Sequence, residues 1–187
     1  MSQPEQPFGQ SLLVNVDSQA CVRYCPDQPY LLINVSVSAQ PHTAPKIPYG
    51  YEHLGGIGYY KFHTDSKTWF DALLTCHSEG AHLAVINSAL EDSLLKDLFS
   101  RYNNLYGAQD VNSVFIGFHD LYEEGYFMTI FSEPLKDAGY INWETGQPDN
   151  GGGRYGGGED CGVMYRDGSL GDTWCNFQHA YICEIDL

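Results

Sequence analysis

The sequence is short of basic charge. Nine Lys and Arg stand against 24 Asp and Glu, for a formal net charge of −15. Phosphate neutralisation needs clustered Lys and Arg, so a nucleic-acid partner is excluded. Adhesion to an anionic lipid surface through charge alone is excluded with it. No apolar run is long enough to span a membrane, so no membrane insertion is expected. The first residues, Met1 to Pro7, carry no apolar signal core. Cysteine is sparse but even in number: Cys21, Cys25, Cys76, Cys161, Cys175 and Cys183. Their spacings lack the two-residue pairs of zinc sites, so they read as three disulfides of a secreted, extracellular protein. Cys21 and Cys25 are close enough to bridge each other across a turn.

Catalytic patterns are also missing. Gly156-Gly157-Gly158 lacks the Lys-Ser/Thr that completes a nucleotide-binding loop. The histidines are scattered, with no pair at helical metal spacing. The paired acids Glu123-Glu124 and Glu159-Asp160 fit cation ligation better than glycosidase chemistry. No enzyme is expected.

What is present is a core and an acidic loop. Hydrophobic residues make up 43% of the chain, which excludes disorder of the whole. Residues 1–50 read as an N-terminal extension, a small hairpin or strand arm closed by Cys21 and Cys25 and ending in a Pro-rich linker. The arm is a candidate for homo-oligomer contacts. Residues 51–187 read as one α+β domain. Thr64-Asp65-Ser66 offers a cap for a helix carrying Trp69, Leu73 and Cys76. A second helix fits Ala89 to Tyr102, with Leu90, Leu94, Leu98 and Tyr102 as its apolar face. Val114 to Phe118, Tyr126 to Phe131, Cys161 to Tyr165 and Tyr181 to Cys183 are strand-like, and a Gly-rich region runs from Gly139 to Gly158.

In this order the landmarks resemble the C-type lectin-like family over residues 51–187. The likeness rests on the helix from Trp69 to Cys76, on Phe115-Ile116-Gly117-Phe118, and on Asn142-Trp143. It rests further on Gln147-Pro148-Asp149, on Glu159-Asp160-Cys161, and on Cys175 with Cys183. Tyr60-Lys61-Phe62-His63-Thr64 and Cys161-Gly162-Val163-Met164 are similar to arthropod haemolymph lectins that bind bacterial lipopolysaccharide. The resemblance implies the short form of the fold, with two helices, antiparallel strands and a long calcium-binding loop region. It also implies the pairings Cys76–Cys183 and Cys161–Cys175.

For function, the resemblance implies Ca2+ as cofactor and carbohydrate as partner. Calcium takes six to eight oxygens, two of which can be vicinal sugar hydroxyls. The principal site would use Gln147, Asp149, Glu159 and Asp172, with a cis bond before Pro148. An accessory site would use Asp120, Glu124, Asn150 and Asp160, with Glu159 shared. Gln147, Asp149 and Glu159 would also meet the sugar, joined by Tyr155 through its ring and by Arg154 toward an anionic group. Gln-Pro-Asp implies galactose or N-acetylgalactosamine, or microbial glycans such as lipopolysaccharide met in innate immune pattern recognition. The family's Trp-Asn-Asp stands here as Leu170-Gly171-Asp172, so one ligand side chain is absent. That departure supports the alternative expectation, a protein-binding module in which calcium is only structural and no sugar binds.

Overall fold

The structure, a computed structural model, describes residues 47–153 and 158–187. The expected bridge between Cys21 and Cys25, and the strand arm that it would close, lie outside these residues.

Strand β1 (Glu52–Leu54) turns back on β2 (Gly58–Lys67), and helix α1 (Trp69–Ser78) follows. The α1 cap is Thr68, whose hydroxyl accepts from the Asp71 amide at 3.3 Å and donates to the Asp71 carboxylate at 2.7 Å. Thr64-Asp65-Ser66, expected to cap this helix, lies instead within β2, in the irregular stretch between the pairs His63–Tyr181 and Lys67–His179. After β3 (His82–Leu83), Ser88 caps α2 (Ala89–Ser100).

The inward face of α2 is rotated from the one expected. Its buried residues are Glu91, Asp92, Leu95, Leu98 and Phe99, while Leu90 is 54% exposed. Glu91 can turn inward because its carboxylate accepts from the Tyr60 phenol at 2.7 Å and from the Asn87 amide at 2.8 Å. A buried carboxyl with such partners escapes most of the usual desolvation penalty.

The remaining strands are β4 (Ser113–His119), β5 (Met128–Thr129), β6 (Cys161–Tyr165), β7 (Leu170–Thr173) and β8 (His179–Asp186). Only two residues of the strand expected over 126–131 pair, and β7 was not foreseen. Among the described residues the sheet runs β1-β2-β8-β4-β6-β7, with β3 on β8 and β5 on β4. The pairings are antiparallel except β4 with β8, because the last strand enters the sheet between β2 and β4.

Period-two alternation sends neighbouring side chains to opposite faces. Phe115, Val163 and Tyr181 pack with Trp69 of α1, whereas Ile116, Met164 and Ile182 pack with Leu95, Leu98 and Phe99 of α2. The buried Trp69 indole donates to the Ile116 carbonyl at 3.0 Å, which satisfies its one polar atom. Cys76 of α1 is bonded to Cys183 of β8 across 107 residues. Closing a loop of that length stabilises by about 5 kcal/mol in the chain-entropy account. Cys161 bonds Cys175 across 14 residues and ties β6 to the chain leaving β7. Both pairings are those the resemblance implied.

Candidate functional site

The site lies where the long loop returns to β7. The Gln147–Pro148 bond is cis and turns the loop back toward that strand. Gln147 Oε1 accepts from the Asp172 amide at 3.2 Å. The Asp172 carboxylate accepts from the amides of Asp149 at 3.1 Å and Asn150 at 2.9 Å. Asp149 accepts from the Gly151 amide at 3.0 Å, and Asn150 Oδ1 from the Glu159 amide at 2.7 Å. The loop is thus held by main-chain donors to its acids, which fixes their carboxylates in position.

Asp149, Glu159 and Asp172 each offer an oxygen within 4.8 Å of the others. Glu159 and Asp172 are buried, and Asp149 is exposed. No Lys or Arg among the described residues pairs with any of them. Burial, followed by the charges of Asp172 and Asp149, pushes the Glu159 carboxyl up to about 7. Burial raises Asp172 as well. Together these three acids form a set of hard oxygen donors.

The second group expected from the sequence also converges. The oxygens of Glu124, Asn150 and Asp160 all lie within 3.2 Å of the point where a Cβ on Gly158 would stand. Asp120 beside them is 3% exposed; one carboxylate oxygen accepts from the Gly125 amide at 2.8 Å, and the other has no partner among the described residues. Burial first, then the charges of Glu124 and Asp160, lift Asp120 to about 6.

Both groups fit calcium by the chemistry of their donors, since all are oxygens and neither includes sulfur or imidazole. Arg154 and Tyr155, the expected sugar contacts of the Gly-rich loop, lie outside the described residues.

Two features of the site were not anticipated. A Cβ on Gly171 would stand 2.6 Å from the Tyr165 ring and 2.8 Å from its hydroxyl oxygen, so the Tyr165 side chain fills the space of the missing side chain. The burial of Tyr165 and the charges of Asp110 and Asp172 push its phenol up to about 12, which keeps it a neutral hydrogen-bond donor. The only sequence signal would have been an aromatic two residues along β6 from Val163, which faces Gly171 across the pair. Secondly, Trp174 packs on Gly151, where any Cβ would collide with the indole, and stands beside Glu159.

An oxygen cage on a cis-proline loop, set on this sheet and its two disulfides, leads to one class. The lectin C-type domain matches residues 65–185, and the chain belongs to that family, a non-enzymatic carbohydrate-binding class. Among individual proteins, it is 41% identical over 177 residues to the haemolymph lipopolysaccharide-binding protein of Periplaneta americana, covering 94% of this chain and 68% of that one. It is 32% identical over 138 residues to asialoglycoprotein receptor 2 of Mus musculus, covering 73% of this chain and 41% of the receptor. The carbohydrate-recognition domain of the mouse scavenger receptor C-type lectin superposes with a TM-score of 0.63 at 29% identity, over 74% of this chain and 97% of that domain. Among the described residues no helix is long and apolar enough to cross a membrane.

Proposed function

We propose that the chain binds carbohydrate through calcium, as a secreted protein that recognises galactose-type sugars or microbial surface glycans such as lipopolysaccharide. The observation that carries this reading is the convergence of Gln147, Asp149, Glu159 and Asp172 at the cis-proline turn, where Glu159 and Asp172 are buried and no described Lys or Arg pairs with the acids. Bound calcium would supply vacant coordination positions for two vicinal hydroxyls. Asp149 and Glu159 would then accept hydrogen bonds from those hydroxyls, and the Gln147 amide would donate. Asp120, Glu124, Asn150 and Asp160 would hold a second ion and stiffen the loop. Arg154 and Tyr155 are proposed sugar contacts on sequence grounds alone. The two described disulfides and the haemolymph relative support an extracellular setting. Self-association through residues 1–50 would supply the multivalency that weak single-site sugar binding requires.

The filled position at Gly171 favours the second reading, a protein-binding module in which calcium only braces the loop. An array carrying galactose, N-acetylgalactosamine, mannose and lipopolysaccharide, read with calcium and again with chelator, separates the two. Chelator-sensitive binding led by galactose-type sugars supports the lectin reading. Binding to no glycan, with calcium still raising the melting temperature, selects the protein-binding module.

A further inference from the structure

The pairing of β3 with β8 gathers a second set of ligating side chains, away from the cage strand β7 in the sheet order. His82 stands opposite Glu184 in that pair, so their side chains share a face. Asp186 lies two residues further along β8 and returns to the same face. One ring nitrogen of His82 and one carboxylate oxygen from each of Glu184 and Asp186 lie within 4.8 Å of one another.

The imidazole is fixed in both tilt and tautomer. Its Nδ1 lies 2.9 Å from the Leu83 carbonyl, which can only accept, so Nδ1 carries the proton of that bond. The Phe131 ring meets the imidazole edge-on, with centroids 4.9 Å apart. In the neutral ring Nε2 is then a bare acceptor, and it lies 3.2 Å from Asp186 Oδ2, another acceptor. Two lone pairs at that distance repel. The contact becomes favourable only with a proton or a metal cation on Nε2.

The surroundings favour the metal. Glu184 adds a second carboxyl, 3% exposed, whose Oε2 lies 4.0 Å from the imidazole. That oxygen accepts only the Val85 amide, at 3.1 Å, which leaves it a lone pair to give. No Lys or Arg among the described residues pairs with Glu184 or Asp186. A proton on Nε2 offsets one of the two carboxyls, whereas a divalent cation offsets both in their ionised form. An imidazole whose other nitrogen donates to a main-chain carbonyl is the arrangement that orients metal-bound histidine. Two ligand atoms 2.0–2.2 Å from a tetrahedral zinc stand about 3.3 Å apart, close to the 3.2 Å between Nε2 and Asp186 Oδ2. Calcium takes oxygen ligands, while imidazole joined with carboxylate suits zinc. The Asp186 side chain is 75% exposed, so the ion has a path from solvent.

We infer that His82 Nε2 and Asp186 Oδ2, with Glu184 Oε2 as third ligand, form a zinc site separate from the calcium cage. It goes beyond the carbohydrate-binding reading and does not depend on it.

The test titrates the full chain, in excess calcium at neutral pH, with zinc chloride by calorimetry while the imidazole nitrogens are followed by NMR. Zinc should shift the His82 Nε2 resonance, and further calcium should not reverse the shift. His82→Gln should weaken zinc binding by more than about tenfold. Asp186→Asn, a change on a mostly solvated side chain that leaves the fold intact, should weaken it by about tenfold. Acidification to about pH 5 should release the zinc, because protons compete for Nε2. Zinc binding that persists in both variants, or that leaves the His82 nitrogens unmoved, places the ion elsewhere and overturns the inference. Absence of zinc binding, with the His82 ring titrating against Asp186, assigns the contact to an ordinary ion pair and overturns it equally.

Discussion

Glu91 and Glu184 meet at one phenol: Tyr60 lies 2.7 Å from a carboxylate oxygen of the first and 2.9 Å from one of the second. Both carboxyls are buried, and each also accepts a main-chain amide, from Asn87 and Val85 respectively. One hydroxyl proton cannot fully serve two carboxylates. Burial first, then the charge of Glu91, raises the Glu184 carboxyl above the usual carboxylate range. A folded-state pKa above the unfolded one means stability that is complete below about pH 4 and declines as pH rises through the folded value. Wild-type stability in chelator is therefore expected to fall from pH 5 towards pH 9, and Glu184→Gln should flatten that slope. A pH series of chemical denaturation decides; parallel slopes for the two proteins would refute the assignment.

Tyr60→Phe tests the same contact from the other side. It leaves both carboxyls buried without the shared donor, at an expected cost of about 1–3 kcal/mol. Denaturant midpoints at pH 7 measure it. The loss should shrink at low pH, where a protonated carboxyl can donate to its neighbour.

Much of the candidate site was legible because its members are neighbours in sequence. Gln147-Pro148-Asp149 and Glu159-Asp160 are short motifs that carry the family resemblance, and the same resemblance implied Asp172 by matching Leu170-Gly171-Asp172 to the family's Trp-Asn-Asp. The rotation of α2 was not legible. Counting apolar residues put Leu90 inside, whereas a Tyr from β2 made room for Glu91, and only the tertiary fold supplies that partner. The Tyr165–Gly171 contact was hidden for a similar reason, since it depends on the β6–β7 register.

Gly171 is the position where sequence alone most invites a repair. Gly171→Asn would restore the family's missing side chain, yet its Cβ would stand 2.6 Å from the Tyr165 ring. Overpacking of this kind costs about 1–3 kcal/mol. The single variant is expected to melt at a lower temperature, and Tyr165→Val added to it should recover most of the loss. A double-mutant cycle reads the coupling directly. Additive effects would show that the ring yields without cost.

The Cys161–Cys175 bridge closes a short loop, so its entropic contribution is about 3 kcal/mol against about 5 kcal/mol for the bridge across 107 residues. Its position gives it a second consequence, because it brackets Asp172 and Trp174, which stand at the cage. Cys161→Ala with Cys175→Ala should weaken calcium binding more than the Cys76→Ala, Cys183→Ala pair does, while destabilising the fold less. Calorimetric calcium titration of both double variants, beside their melting temperatures, tests the ordering. The reverse order for calcium would show that Asp172 is placed by the sheet and not by the bridge.

Glu159 belongs to the carboxylate group on which the proposed function rests, and its removal should act oppositely with and without the ion. Glu159 is 6% exposed beside two like charges, and in chelator Glu159→Gln should relieve that repulsion. The variant should be more stable than wild type in chelator at neutral pH, by on the order of 1–2 kcal/mol. With calcium added, the wild type should gain melting temperature by mass action and the variant should gain little. A curve crossing between the two proteins as calcium rises is the expected result. Parallel responses to calcium would mean that Glu159 is not a ligand, and that the ion, if bound, sits with Asp120, Glu124 and Asp160.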